Sequence, residues 1–293
     1  MPAYKKQHYL PSAYLKYFSV DQANCNRKSS VWRFDGKVQR CVPIESQCFA
    51  DYLYSKEKAA EAEIMFQSRE KTYCQFVDKI RTKQEPTGHN FGDLFLSMFD
   101  FHLRNAIHKN RTGKEGIEAY DHRIQIAFSQ ILLGRNDGKM PKANIIDHIQ
   151  HYWRLEIISI SSDNQFVTSD HPSVWITVKK SPNGLKPELQ LITLPLTPKH
   201  TAVAFDRRVL EIVNKPASLS DVVTLNVGQI ENAEQCVYMS GRLKDGDIAV
   251  AKNCFVRKPA SVCEVNEGGW KLILQYLPYE HHFSFMRLRP PLV

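Results

Sequence analysis

Apolar and polar positions in the first half of the chain follow the spacing of helices. Residues 54–80 contain no glycine or proline, and apolar side chains such as Phe66 and Tyr73 recur on one helical face. This pattern predicts a long amphipathic helix. Residues 91–110 are apolar on nearly all sides, which predicts a buried helix, and two further helices are predicted between residues 113 and 153.

From Trp153 onwards the pattern changes to that of strands. Short segments rich in β-branched and aromatic residues are separated by the turn signals "SSDN" and "SPNG", which is typical of an antiparallel or mixed sheet. One helix is predicted over residues 218–239, with Ser220 as its N-cap. Near the start of the chain, the pair Asp35-Gly36 between two β-type segments predicts a hairpin.

Together these elements predict an α+β protein, in which a helical N-terminal half packs against a mixed or antiparallel β-sheet in the C-terminal half. We assign residues 1–152 to a mainly α-helical half with an N-terminal hairpin, and residues 153–293 to a β-rich half with one helix. No linker rich in Pro, Gly or Ser separates the halves, so a single compact domain is an open alternative.

Composition narrows the class of protein. With 43% hydrophobic residues, the 293-residue chain is able to bury a proper core. It contains no uninterrupted apolar run of about 18 residues and no secretory signal at its start, so we expect a cytoplasmic protein without membrane association. The seven cysteines form no CxxC pair, which favours free thiols over a disulfide frame or a zinc knuckle.

Net charge and sequence motifs limit the kinds of partner and the classes of enzyme to which the chain can be assigned. The net charge of +8 fits a polyanionic partner such as RNA or DNA. The basic residues are scattered along the chain, so charge alone leaves nucleic-acid contact undecided. The sequence lacks the phosphate-loop, GxGxxG, HExxH, GxSxG and kinase signatures, which argues against those enzyme classes.

His8 lies in an unusual N-terminal stretch, "KKQHYLPSAYLKYF", which places five aromatic or histidine side chains around a proline. A chain start is usually frayed and polar, so this stretch is predicted to anchor the chain, to deliver His8 to a site, or both. An imidazole there is a candidate general base or metal ligand. The alternative is a half-buried histidine that hydrogen bonds to a backbone carbonyl.

Glu63 and Glu70 are candidate catalytic carboxylates on the long helix. Seven residues apart, they share one helix face at an axial separation of about 10.5 Å. That separation is too long for two ligands of one ion, so each carboxylate needs partners from elsewhere. The alternative is a solvated face of a helix rich in Lys and Glu.

Arg104, His108 and Arg111 form a candidate substrate-binding stripe. Their i, i+4 and i+7 spacing places them on one helix face, which suits a phosphate or carboxylate. Arg104 follows the apolar run "LFLSMFDFHL", so its alternative role is a structural ion pair with a buried carboxylate.

Asp170 lies in the sharpest local feature, "FVTSDHP", where a β-type segment ends in a polar turn. Strand ends commonly present functional side chains, so Asp170 is a candidate to hold a divalent metal, or to orient His8 or His171. The alternative is an Asx-type turn before a proline, which Asp favours for local reasons.

The motifs "QHYLPSAYLKYF", "VWRFDGK", "FVTSDHPSV" and "LPLTP" resemble, in this order, those of a bacterial domain-of-unknown-function family, number 4238. Asn226 falls in the helix that follows them, and the resemblance covers roughly residues 7–240. The family name supplies no activity. The resemblance implies that dispersed polar residues meet in a shared pocket between helices and sheet, namely His8, Glu63 or Glu70, Arg104 and Asp170, with Asn226 added as a substrate-binding residue.

Such a constellation suits acid–base or metal-assisted attack on a phosphodiester. Asp170 and Glu70 are the predicted ligands of Mg²⁺ or Mn²⁺, His8 is predicted to activate water, and Arg104 to stabilise the developing charge. We therefore expect a hydrolase, foremost a nuclease acting on RNA or DNA, as a toxin-like effector in phage defence or bacterial conflict, with a protein partner of that system.

Two alternatives stay open. The first is a non-catalytic module whose pocket binds a nucleotide, a nucleic acid or a partner protein, and the second is a polar set that only joins the two halves. With His8 and Asp170 as the catalytic pair, the enzyme hypothesis requires the two side chains to lie within about one water of each other in an open cleft.

Overall fold

The structure is a computed structural model, and it describes residues 6–51, 53, 59–84, 88–109, 151–160, 163–177, 191–213, 217–256, 261–267, 270–278 and 283–289. The two helices predicted between residues 113 and 153 lie outside these residues, except for their last positions, 151–153. The observed mixture of helices and strands confirms the α+β class.

The long amphipathic helix and the buried helix predicted in the first half are both present. The described α-helices are α1 (Ser12–Leu15), α2 (Ala59–Arg81), α3 (Gly88–Lys109), α4 (Leu219–Asn232) and α5 (Asp245–Val256). Short 3-10 helices cover Lys16–Phe18 and Ile44–Ser46. Among the described helices, none is both long and apolar enough to cross a membrane.

The strands build one large sheet and three smaller ones within the described residues. They are β1 (Lys6–His8), β2 (Ser30–Phe34), β3 (Gln39–Pro43), β4 (Phe49–Asp51), β5 (Trp153–Ser159), β6 (Thr168–Ser169), β7 (Val174–Thr177), β8 (Leu191–Thr197), β9 (His200–Asp206), β10 (Leu210–Ile212), β11 (Val237–Met239), β12 (Ser261–Glu267), β13 (Trp270–Pro278) and β14 (Met286–Leu288). The six-stranded sheet has the order β12-β13-β7-β8-β9-β5 and is mixed, because β13 and β7 run parallel.

The N-terminal hairpin is confirmed, and it belongs to a sheet that joins distant parts of the chain. Asp35 accepts hydrogen bonds from the backbone of Lys37 and Val38, and Gly36 has a φ of 83°, a conformation that favours glycine. The hairpin strands β2 and β3 continue into β11 and β6, so the sheet order is β3-β2-β11-β6. The division at residue 152 stays a prediction, and this sheet draws strands from both sides of it.

Helix α3 packs against the six-stranded sheet through aromatic contacts. Phe95 meets Trp153 at a ring-centroid distance of 5.5 Å, and Phe99 meets Trp175 at 5.0 Å. The imidazole of His102 stacks on Trp175 at 3.8 Å. These contacts fix α3, and with it α2, relative to the sheet.

Three features of the C-terminal region differ from the sequence prediction. The N-cap of α4 is Ser218 rather than Ser220, because Ser218 and Asp221 form a reciprocal capping box. The helix ends at Asn232, and part of its predicted length is the strand β11. Helix α5 was not predicted, since its apolar residues do not form one face, and Val256 is 81% exposed.

The opening motif is a buried anchor, as the sequence indicated. Leu10, Tyr14, Tyr17 and Phe18 are fully buried. The hydroxyl of Tyr17 donates to the carbonyl of Cys74 and contacts the carboxylate of Asp78, both at 3.0 Å, which ties the motif to α2. The six cysteines whose side chains the structure describes are free thiols.

Candidate functional site

A polar pocket lies where the N-terminal strand meets α2. It has a volume of about 170 Å³. Its lining residues are Lys6, His8, Pro11, Ser12, Arg27, Glu63, Phe66, Gln67 and Glu70. Three residues predicted from the sequence, His8, Glu63 and Glu70, are therefore brought together in one pocket.

His8 is held on the pocket wall by strand β1. It pairs with Phe49 across the β1–β4 ladder, and the two rings meet edge to face at 5.8 Å. Its Nε2 lies 3.4 Å from Ser12 Oγ, one turn further along the chain. The ring also hydrogen bonds to the backbone of Glu45. The backbone hydrogen bond that was considered as the alternative role of His8 is therefore present, and the half-buried ring also lines the pocket.

Burial lowers the pKa of His8 from its ordinary value of 6.5. The hydrogen bond to Glu45 opposes this shift, whereas the positive charges of Arg104, Arg27 and Lys6 add to it. Since a lowered pKa leaves the imidazole neutral at neutral pH, His8 is able to accept a proton there.

The pKa of Glu63 is shifted in the opposite direction, upwards. Burial raises its pKa above the ordinary 4.5, and the neighbouring charge of Glu70 raises it further. Arg104, Arg27 and a hydrogen bond with Gln67 lower it by smaller amounts. Glu63 therefore keeps its proton to a higher pH than an exposed glutamate does.

Glu70 is bound to a buried arginine behind the pocket. Arg104 is fully buried, and its Nη1 donates to Glu70 Oε1 at 3.1 Å. Its Nε lies 2.9 Å from Asp100 Oδ2, and its guanidinium sits 3.7 Å over the ring of Phe66. Asp100 also receives Arg69 at 3.0 Å. The structural ion pair considered for Arg104 is thus what the structure places there.

The rest of the predicted basic stripe is only partly described. The side chain of His108 and the whole of Arg111 lie outside the described residues. Arg104 itself is not among the residues that line the pocket. The assignment of this stripe to substrate binding gains no support at Arg104, because its guanidinium is enclosed by protein.

Asp170 does not line the pocket, and the predicted pairing of His8 with Asp170 is corrected on this point. The carboxylate is 1% exposed and accepts hydrogen bonds from the backbone N–H groups of Glu234 and Gln235, at 2.9 and 2.8 Å. Burial raises the pKa of Asp170 to about 7, although these two donors oppose the shift. These contacts give the carboxyl group a structural role, but they join distant segments of the chain and are not the local Asx-type turn considered as its alternative.

The backbone around Asp170 is held by side chains of α4. Gln229 donates to the carbonyl of Pro172 at 2.7 Å, and Asn232 donates to that of His171 at 2.6 Å. Asn226 accepts from the N–H of Val167 and donates to the carbonyl of Gln165, both at 2.9 Å. Asn226, predicted to bind substrate, is therefore used to fix the backbone before the turn.

Three sequence motifs meet at the hydroxyl of Tyr14. It lies 2.6 Å from Thr168 Oγ1 in "FVTSDHP" and donates to the carbonyl of Pro195 in "LPLTP" at 2.8 Å. The opening motif thus connects directly to the other two. This junction brings the three motifs together in space, although only the first reaches the pocket.

Several lining residues were not predicted. Lys6 is two positions from His8 on β1, and Gln67 follows Glu63 by one helical turn, so strand and helix periodicity could have indicated both. Ser12 lies four positions after His8. Arg27 comes from a loop and had no local signal.

The predicted metal site is not assembled by the described residues. Glu70 lines the pocket and binds Arg104, whereas Asp170 lies elsewhere. No group of three or more His, Cys, Asp or Glu side chains in the described part of the chain is arranged to hold an ion.

Fold and site together define an α+β protein with a small pocket of mixed charge beside its N-terminal strand. The chain belongs to the family described as Protein of unknown function (DUF4238), whose model matches residues 6–242. The resemblance indicated by the sequence motifs is thereby confirmed, and all lining residues of the pocket fall within the matched range. No curated protein and no solved structure matches the chain.

Proposed function

We propose that the protein cleaves phosphodiester bonds of RNA or DNA, with His8 as general base and Glu63 as general acid. One observation carries the proposal: a histidine with a lowered pKa and a glutamate with a raised pKa line the same pocket. These shifts bring the pKa of the histidine and that of the glutamate towards each other, which increases the fraction of the protein that holds a neutral imidazole and a protonated carboxyl at the same pH.

The remaining lining residues suit this reaction. His8 takes the proton of the attacking water or ribose hydroxyl, and the oxygen of that group forms a bond to phosphorus. The bond from phosphorus to the leaving oxygen breaks, and Glu63 gives its proton to that oxygen. The exposed cations Lys6 and Arg27 lie at the pocket and neutralise the charge that develops on the phosphate. The net charge of +8 favours encounter with a polyanion.

Mg²⁺ or Mn²⁺ was predicted as a cofactor. Glu70 Oε1 is engaged by Arg104, and Asp170 does not line the pocket, so the proposed steps use protein groups alone. The assay tests for an ion by comparing added Mn²⁺ with added EDTA.

The experiment incubates the purified protein with tRNA, total RNA, single-stranded DNA and duplex DNA. We expect cleavage of at least one substrate, and a loss of about 100-fold or more in rate for His8→Ala and for Glu63→Gln. Glu211→Gln is the matched control, because Glu211 pairs with Arg287 outside the pocket. Thermal unfolding of each variant separates lost chemistry from lost folding.

The second candidate is a non-catalytic module that binds a nucleotide, a nucleic acid or a partner protein in the same pocket. The contacts of the His8 ring with Ser12 and Glu45 favour it, because they occupy the ring within the protein. Unchanged substrates in every arm, together with nucleic-acid binding that Lys6→Ala weakens, would establish this candidate instead.

The biological setting that we propose is that of a toxin-like effector in phage defence or bacterial conflict. Expression in a bacterial host tests it: the wild type should arrest growth, and His8→Ala should not. Equal growth with both proteins contradicts the toxin role, while the cleavage assay stands by itself.

A further inference from the structure

Glu63 and Glu70 line the pocket from the same helix but have different partners. Glu70 Oε1 receives Arg104 Nη1 at 3.1 Å, and its side chain is 16% exposed. Glu63 is half-buried and hydrogen bonds with Gln67, an exposed neighbour on the same helix. One carboxylate is therefore bound to the protein interior, and the other to the rim of the pocket.

The arginine that binds Glu70 is itself held from several sides. Arg104 is fully buried, its Nε lies 2.9 Å from Asp100 Oδ2, and Phe66 covers its planar group at 3.7 Å. Asp100 is fixed in turn by Arg69. A guanidinium in this arrangement presents a rigid fork, so Glu70 is tethered at a constant position.

We propose that Arg104 and Asp100 are positioning residues that hold Glu70 as a fixed wall of the pocket, which leaves Glu63 as the carboxyl that exchanges a proton with the substrate. This inference rests on the proposed function, since it concerns the same pocket. It assigns unlike roles to two glutamates that the sequence could not distinguish.

The charges around Glu63 determine whether its pKa rises or falls when one of its neighbours is substituted. Glu70 is the anion that faces it, while Arg104 from α3 and Arg27 from the N-terminal loop are the cations. His8 and Lys6, from β1, line the same pocket. Removing the charge of Glu70 lowers the pKa of Glu63, whereas removing that of Arg104 raises it, because like charge disfavours ionisation and opposite charge favours it.

The experiment measures the pKa of Glu63 directly, by NMR titration of the full chain with ¹³C-labelled glutamate carboxyls. Glu63→Gln assigns the signal. In Glu70→Gln, whose amide oxygen can still accept from Arg104, we expect the Glu63 pKa to fall by about half a unit or more. Arg104→Met should move it in the opposite direction, and Glu211→Gln should leave it unchanged.

The same variants are assayed for cleavage across pH. Protonated Glu63 is the acid, so the alkaline limb of kcat/KM should move to lower pH in Glu70→Gln, with kcat affected more than KM. A Glu63 pKa that is the same in wild type and Glu70→Gln overturns the inference, even where cleavage persists. Absence of cleavage by the wild type overturns the proposed function, and the titration then still decides the roles of the two glutamates. If Arg104→Met fails to fold, the pKa of Glu63 in Glu70→Gln alone decides whether the inference holds.

Discussion

Asp170 organises two distant segments of backbone with a single buried carboxyl group. Its oxygens receive the N–H groups of Glu234 and Gln235, and its own N–H donates to the carbonyl of Cys236 at 3.1 Å. Backbone donors left without a partner in a protein interior are costly. The side chain therefore fixes the entry into β11, and through β11 the sheet that carries the N-terminal hairpin.

Asp170→Ala removes both acceptors, and we expect the free energy of unfolding to fall by about 2 to 4 kcal/mol. The loss should depend on pH. The pKa of Asp170 is about 7 when folded and 3.8 ordinarily, so between these values the folded state holds a proton that the unfolded state has released. The stability contributed by this proton declines as pH rises towards about 7.

Urea unfolding of wild type and Asp170→Ala at about pH 5 and about pH 7 measures both effects. The difference between the two proteins should shrink by about 1 to 2 kcal/mol at the higher pH. A difference that is the same at both pH values would contradict the raised pKa of Asp170.

At the scale of elements, α2 and α3 are joined by a buried ionic cluster rather than by apolar packing alone. Arg104 bridges Asp100 on its own helix and Glu70 on α2, and Arg69 reaches Asp100 from α2. Buried ion pairs add little net stability when complete, but removing one partner leaves an uncompensated charge. The cluster therefore specifies how the two helices meet behind the pocket.

Two arginines bind the same carboxylate at different depths, which provides a matched comparison. Arg104→Met leaves Asp100 buried and partly unpaired, so we expect the free energy of unfolding to fall by about 3 to 5 kcal/mol. The side chain of Arg69 is 38% exposed, so Arg69→Met should lower the free energy of unfolding by at most about 1 kcal/mol. Chemical denaturation of both variants tests this ranking, and equal losses would mean that burial does not govern the cluster.

Helical and hairpin elements could be predicted because their signals are local. The unbroken helix containing Phe66 and Tyr73, and the turn at Asp35-Gly36, each show the required pattern within a few residues. Helix α5 lacks such a pattern, because apolar residues such as Val256 point to solvent. Its existence depends on packing that the local sequence does not show.

The candidate site could be predicted only in part. His8 was identified because it lies in an aromatic stretch that is unusual near a chain start, and Glu63 and Glu70 because their seven-residue spacing places them on one face of the predicted helix. Asp170 was assigned to the same site because a strand end that presents a catalytic side chain and one whose side chain binds distant backbone have the same local sequence. Its partners, Glu234 and Gln235, lie 64 and 65 positions away, a distance over which sequence alone gives no pairing.

At the scale of the whole molecule, the hydroxyl of Tyr14 joins regions that are far apart in the sequence. Its partners Thr168 and Pro195 lie 154 and 181 positions away. The ring sits in an aromatic cluster with Tyr73, at 5.6 Å, and Phe101, at 5.1 Å. Polar and apolar contacts therefore converge on one side chain.

Tyr14→Phe keeps the ring but leaves Thr168 and the carbonyl of Pro195 without this hydroxyl, so we expect a loss of about 1 to 3 kcal/mol. Tyr73→Phe is the matched control, because the buried hydroxyl of Tyr73 has no hydrogen-bond partner among the described residues. That substitution should be neutral or slightly stabilising. Thermal and urea unfolding measure both, and a larger loss in Tyr73→Phe would contradict the role given to Tyr14.

The pairing of β2 with β11 has a consequence for synthesis of the chain. Trp32 pairs with Met239, so the sheet that contains the N-terminal hairpin is complete only after residue 239 has left the ribosome. Contacts of such long sequence separation form late and slowly during folding. The β2–β3 hairpin is therefore translated long before its neighbouring strand β11, and a nascent chain holds this hairpin with one unpaired strand edge until residue 239 has been made.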